Sequence, residues 1–128
     1  MKRNVLIIDD ERDMRKKYKR YLIENDFRVI EARDATEVID ALMLERSQLD
    51  LILLDINIKE VDGRDIFDIL DEYASNIPVI VSSVYPINDQ KLRIPRATDY
   101  FNKAQKDEIL LAKIKTILGL EEEVKAKK

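Results

Sequence analysis

The sequence predicts an α/β fold, a doubly wound parallel sheet with flanking helices, on three observations. Five short β-branched or aliphatic runs alternate with longer amphipathic segments, the pattern of repeated βα units. The runs at 5–8 and 49–54 are apolar or nearly so, as strands covered on both faces are. Four of the five runs end in polar residues, which suits a sheet whose carboxyl strand ends share one ligand-binding edge.

Taken in order, residues 5–8 (Val5-Leu6-Ile7-Ile8) form the first strand and stop at Asp9-Asp10. Residues 12–25 carry Met14, Tyr18, Tyr21 and Leu22 at helical spacing, and Asp10 or Glu11 is placed to cap that helix or favour its N-terminus. A weaker strand follows at 27–31. Asp34 then precedes a helix with Val38, Ile39 and Leu42 inward, running to about Arg46. Residues 49–54 read as the central strand, ending at Asp55. Gly63 precedes a third helix over 64–73, with Ile66, Phe67, Ile69 and Leu70 as its apolar members. Pro78 opens a fourth strand at 79–81 that ends in Ser82-Ser83. Between 84 and 97, Pro86 and Pro95 bracket eight residues, so any helix there is short, because proline interrupts a helix and extends its predecessor. Residues 98–102 form a fifth strand ending at Lys103, and 107–118 a closing helix with Ile109, Leu110, Ala112, Ile114 and Ile117. No repeat or linker divides residues 1–120, which are read as one domain, and 121–128 as a charged, frayed tail.

Composition narrows the chemistry. The 128 residues include no cysteine and no histidine, which excludes disulfides, thiol catalysis, ordinary zinc sites and Ser-His-Asp triads. Two isolated glycines cannot form a glycine-rich phosphate cradle. Carboxylate remains in excess, 26 acids against 23 bases, and hard oxygens favour magnesium or calcium. The apolar run before Asp9 is too short for a signal peptide or a membrane span, so a soluble cytoplasmic protein is expected. A net charge of −3 gives no reason to expect DNA binding by this chain. Residues 11–20 hold six bases and residues 60–72 six acids; each run reads as a solvated helix face, with the basic one also a possible dock for an acidic partner.

At the shared strand edge Asp9, Asp10, Asp55, Ser83 and Lys103 converge. Each alone reads as a cap, a turn residue, a loop hydroxyl or a solvated base. Together they pose an electrostatic problem, since carboxylates about 4 Å apart repel by roughly 4 kcal/mol per pair at an effective dielectric near 20. A divalent cation offsets that repulsion, and Mg²⁺ suits it by accepting one or two carboxylates plus waters and phosphate oxygens. Metal, lysine and hydroxyl together serve a transferring phosphoryl group, whose chemistry is mostly positioning and charge neutralisation. Asp55, alone at the end of the central strand, is the candidate nucleophile, giving an aspartyl phosphate.

These residues resemble the receiver domain of two-component response regulators, the CheY-like superfamily. Asp9-Asp10-Glu11 is similar to the family's acidic pair, Leu53-Leu54-Asp55-Ile56-Asn57 to its phosphoacceptor strand end, and Val61-Asp62-Gly63 to the turn before its third helix. Ile77 to Ser83 resembles the fourth strand with its terminal hydroxyl, and Ala97 to Lys103 the fifth with its aromatic and lysine. The resemblance covers residues 3–119 and implies a flavodoxin-like sheet of order 2-1-3-4-5. It implies that a histidine kinase or histidine phosphotransfer protein phosphorylates Asp55, and that the chain is a signalling protein supporting its own phosphorylation and dephosphorylation. It further implies that Asp10 and Asp55 bind Mg²⁺ through side chains, Asn57 through its carbonyl and Asp9 through water. Ser83, five residues after Pro78, would bond a phosphoryl oxygen, Lys103 would pair with another, and Tyr100 would be the aromatic that turns inward when Ser83 moves.

Three departures stand beside the resemblance. Ile58-Lys59 replaces the family's usual Met-Pro, and Lys103-Ala104 its Lys-Pro, where a cis bond before alanine would cost about 3–4 kcal/mol. The segment from Ser83 to Lys103 is about two residues short, so the fourth helix is expected to be short, irregular or absent. With nothing after residue 128, the expectation is a stand-alone receiver acting on a downstream protein target. The alternatives are a degenerate receiver used only as an interaction module, and an Mg²⁺-dependent phosphohydrolase. The last is disfavoured because Asn57 stands where a second acid is needed.

Overall fold

The computed structural model describes residues 2–57 and 63–120. In chain order it contains β1 (Arg3–Ile8), α1 (Arg12–Glu24), β2 (Phe27–Ala32), α2 (Ala35–Glu45), β3 (Leu51–Asp55), α3 (Gly63–Tyr73), β4 (Val79–Ser83), α4 (Ile87–Arg93), β5 (Asp99–Asn102) and α5 (Asp107–Leu118). A 3₁₀ turn, Arg46–Gln48, links α2 to β3. The five strands are parallel in the order β2-β1-β3-β4-β5, as the resemblance implied.

Period-two alternation divides the interior. Val5, Ile7, Leu51, Leu53, Ile80 and Phe101 face one side, where they pack with Tyr18 and Leu22 of α1 and Leu110 and Ile114 of α5. Leu6, Ile8, Ile52, Leu54, Val79 and Val81 face the other, against Val38 and Leu42 of α2 and Ile66, Phe67 and Leu70 of α3. Every residue of β3 and β4 is buried, so these strands lie in the middle of the sheet with helices on both faces.

Local signals set most helix ends. The Asp34 carboxylate accepts the Glu37 amide at 2.9 Å and caps α2. Gly119 closes α5 in the left-handed conformation with φ 70°, as glycine does at helix ends. Glu11 occupies the N-cap position of α1 but makes no side-chain cap bond. Its amide is bonded instead by the Asp9 carboxylate, at 2.9 Å.

Some inward assignments need correction. Ile39 is 44% exposed, because the buried stripe of α2 runs through Val38, Ala41 and Leu42 and leaves Ile39 on its flank. Ile109 is likewise exposed, and Leu110 and Ile114 alone are buried in α5. Residues 49–50 precede β3 rather than opening it, where the Asp50 carboxylate accepts the Asn4 amide at 2.7 Å. The fourth helix is short, seven residues. The turn at Val61-Asp62, the Ile58-Lys59 departure and the 121–128 tail lie outside the described residues.

Candidate functional site

Parallel order brings the carboxyl ends of β1, β3, β4 and β5 to one edge, on either side of the central strand. Asp9 and Asp10 follow β1 directly, Asp55 ends β3, and Lys103 follows β5. Carboxylate oxygens of Asp9, Asp10 and Asp55 lie within 4.8 Å of one another, although Asp55 stands 45 or more residues along the chain from the adjacent pair. The Lys103 ammonium sits 3.0 Å from Asp9 Oδ2 and 3.3 Å from Asp55 Oδ1. All three of these side chains are nearly buried, so little solvent screens the contacts.

The two anions differ in how their oxygens are used. Asp9 lies under the cleft with Oδ1 taken by the Glu11 amide and Oδ2 by Lys103. Its position is held from behind: its amide bonds Ala32 O at 3.1 Å, and Arg15 Nη1 donates to its carbonyl at 2.9 Å. Asp55 accepts the Asn57 amide at 3.2 Å and shares Lys103. Burial pushes the Asp55 carboxyl up to about 6; Lys103 opposes that rise and the Asp9 charge adds to it. Burial by itself would lower the Lys103 pKa, but Asp55 and Asp9 outweigh it, so the ammonium is held above its usual value.

Asp10, Glu11, Asp55, Asn57, Val84 and Lys103 line a cleft of about 340 Å³. Every sequence-predicted carboxylate and the lysine are thus brought together. Ser83 is treated differently. Alternation sends it to the side of Val81, fully buried, with Oγ accepting the Tyr85 amide at 3.1 Å, and it is absent from the cleft lining. Ser82 pairs in register with Asp55, and its Oγ is buried near the Tyr18 hydroxyl. Tyr100 is buried in the core beside Ile94, whose carbonyl accepts its hydroxyl.

Lys103 reaches the carboxylates over an ordinary trans peptide to Ala104, since the described residues contain no cis bond. Asn102 shapes the loop: its Oδ1 accepts the Ala104 amide at 2.8 Å, and its own amide is bonded by Gln105 Oε1 at 3.1 Å. Around α1, Arg15, Lys16 and Lys19 all pair with Glu31, at 3.1, 3.6 and 3.0 Å, so half of the basic run is tied to the end of β2. Val84 was missed as a cleft residue, although its place directly after Ser83 signals a strand end. Gln90 was missed as well. Ile87, Gln90 and Ile94 are spaced i, i+3, i+7, which puts the glutamine in an apolar stripe.

The class is therefore a doubly wound α/β protein with an acidic, lysine-bridged cleft at its topological switch point. A family model described as response regulator receiver domain matches residues 5–115, and the chain belongs to that family, whose members signal in two-component systems. Among curated relatives, the transcriptional regulatory protein YxdJ of Bacillus subtilis is 29% identical over 113 residues, 88% of this chain and 48% of the relative. The chain spans about half the length of the curated relatives it matches. A two-component response regulator from Clostridium difficile superposes with TM-score 0.84 at 27% identity, over 92% of this chain and 97% of that one. The response regulator protein TrrA of Thermotoga maritima, in complex with Mg(2+)-BeF, superposes with TM-score 0.80 at 22% identity, over 91% and 99% of the two chains. Among the described residues no helix is long and apolar enough to cross a membrane.

Proposed function

We propose that this chain is a phosphorylatable receiver, comprising residues 1–120, that accepts a phosphoryl group on Asp55 and signals by the conformational change that follows. The observation that carries the reading is the Lys103 ammonium spanning Asp9 and Asp55, at 3.0 and 3.3 Å, beside Asp10 in an open cleft. Asp55 lines the cleft at the end of the central strand with Lys103 beside it, and above about pH 6 it is ionised and nucleophilic. Its oxygen attacks phosphorus, a P–O bond forms, and the P–N bond of a phosphohistidine breaks with its electron pair on the leaving imidazole. Lys103 pairs with a phosphoryl oxygen as charge develops there. The donor is a histidine kinase or a histidine phosphotransfer protein, since these 128 residues supply no histidine of their own to carry the phosphoryl group.

The hard oxygens of Asp9, Asp10 and Asp55 fit Mg²⁺, which when bound neutralises charge on the phosphoryl oxygens. Asp10 and Asp55 would hold it by side chains, Asn57 by its carbonyl and Asp9 through water. Asp9, with both oxygens engaged by Glu11 and Lys103, suits the indirect role. The switch residues are Ser83, whose hydroxyl leaves the Tyr85 amide for a phosphoryl oxygen, and Tyr100, which occupies the inward position beside Ile94. A protein target in the cytoplasm reads the change.

The test is incubation with a small acyl phosphate and Mg²⁺. An acid-stable, base-labile phosphate is expected on the wild-type chain and none on Asp55→Asn. A label that survives in Asp55→Asn overturns the assignment. A chain that binds no Mg²⁺ and takes no label is an interaction module instead.

A further inference from the structure

We propose that Gln90 of α4 is a positioning residue that locks the loop after β4 to the end of β5, and so holds Lys103 against Asp55; this rests on the phosphoryl-acceptor reading above. Gln90 is fully buried, an unusual place for a polar side chain in a seven-residue helix. Its Nε2 donates to Tyr85 O at 2.8 Å and to Phe101 O at 3.0 Å, and lies 3.5 Å from Ser83 O. Three carbonyls converging on one end of the side chain decide the amide's orientation, since the flipped amide would set oxygen against oxygen.

What those carbonyls belong to gives the contact its role. Tyr85 carries the amide that holds the Ser83 hydroxyl. Phe101 lies two residues before Lys103, and the Lys103 amide bonds Ser83 O at 2.8 Å. Asn102 Nδ2 adds a second donor to Tyr85 O at 3.2 Å. One glutamine thus joins the backbone stretch that bears the hydroxyl to the stretch that bears the ammonium. Proline at 104 is absent, and the peptide there is trans, so these side-chain bonds fix the loop.

Packing alone does not account for the residue. Gln90 Oε1 is buried and has no hydrogen-bond partner among the described residues, a penalty that an apolar side chain of similar volume would avoid. Such a side chain would in turn leave Tyr85 O and Phe101 O without the amide. Asp9 and Asp10 follow β1, on the far side of β3 from this network, so the backbone of the acidic pair keeps its place when Gln90 is replaced.

The experiment compares wild type, Asp55→Asn, Gln90→Met and Gln90→Asn as full chains. Gln90→Asn keeps an amide but withdraws it by one methylene, and serves where Gln90→Met fails to fold. Two quantities are read: hydrogen exchange at the Lys103 amide, and the rate of phosphorylation by a small acyl phosphate at saturating Mg²⁺. In the folded Gln90 variant the Lys103 amide is expected to exchange about tenfold faster or more, while the amides of β1 and β3 are unchanged. Phosphorylation slows by roughly ten- to a hundredfold, as displaced catalytic groups do. A residue that merely fills the core would lower stability and leave both readouts at the wild-type level, and that result overturns the proposal, as does faster exchange with an unchanged rate. If wild type takes no more label than Asp55→Asn, the phosphoryl-acceptor reading fails instead. The exchange measurement then decides by itself whether Gln90 holds Lys103 in place.

Discussion

On one flank of the cleft, Asp9 and Asp10 continue a six-residue strand paired on both sides, and Arg15 and Ala32 hold the Asp9 backbone from behind. On the other, Ser83 and Lys103 are separated by a seven-residue helix between two prolines, and side-chain hydrogen bonds from Gln90 and Asn102 join them. The first flank derives most of its rigidity from ladder bonds that any apolar strand sequence makes, with Arg15 bracing the Asp9 carbonyl. The second relies on particular side chains, so single substitutions there have specific effects on the site while the sheet stays intact.

Lys103 is where the two flanks meet, and removing it should have the largest effect. Lys103→Met leaves Asp9 and Asp55 buried together without their cation, with an expected loss of about 3–5 kcal/mol in Mg²⁺-free urea unfolding at neutral pH. A loss under 1 kcal/mol would mean that the flanks are not electrostatically joined.

The strain on Asp55 gives the next largest effect. Its folded pKa, about 6, lies above the ordinary 3.8, so between these values the folded state holds a proton that the unfolded chain has released. Stability of the Mg²⁺-free protein should therefore fall as pH rises through that window, by about 3 kcal/mol in all, and stay level in this respect above it. Asp55→Asn should remove the slope and be more stable than wild type at pH 8. A wild-type curve that rises through the window would refute the assignment of the strain to Asp55.

Gly63 sharpens the comparison at the central strand. A Cβ there would lie 2.4 Å from Ile56 O, and the Gly63 amide bonds that same oxygen at 3.0 Å, so α3 starts against the backbone that follows Asp55. Gly63→Ala should cost about 1–3 kcal/mol, since backbone must yield, and should also weaken Mg²⁺ binding. The smallest effect is expected from Asp34→Ala, which removes the α2 cap at about 1 kcal/mol and leaves phosphorylation at the wild-type rate.

Much of the site is legible in the chain because strand ends are local events. Asp9, Asp10 and Asp55 follow aliphatic runs and Lys103 follows the strand that carries Tyr100 and Phe101, and parallel order carries them to one edge. Ser83 is legible as a position but not as an orientation. Its hydroxyl is turned to Tyr85 by a bend just beyond β4, in a segment whose irregularity conceals any period. Ile39 misleads because a helix of eleven residues buries a stripe narrower than its apolar content, and which residue falls outside depends on where α3 lies.

The sequence by itself determined the alternation of strands and helices and the acidic edge, because these follow from periods of two and 3.6 residues and from residues adjoining each element. The tertiary structure decided that Lys103 bridges Asp9 and Asp55, that Val84 borders the cleft, and that a glutamine in a short helix is buried. The physical reason is that a polar side chain can be buried only where partners await it. Those partners are the carbonyls of Tyr85 and Phe101 for Gln90, and the carboxylates of β1 and β3 for Lys103, groups that only the folded chain brings together.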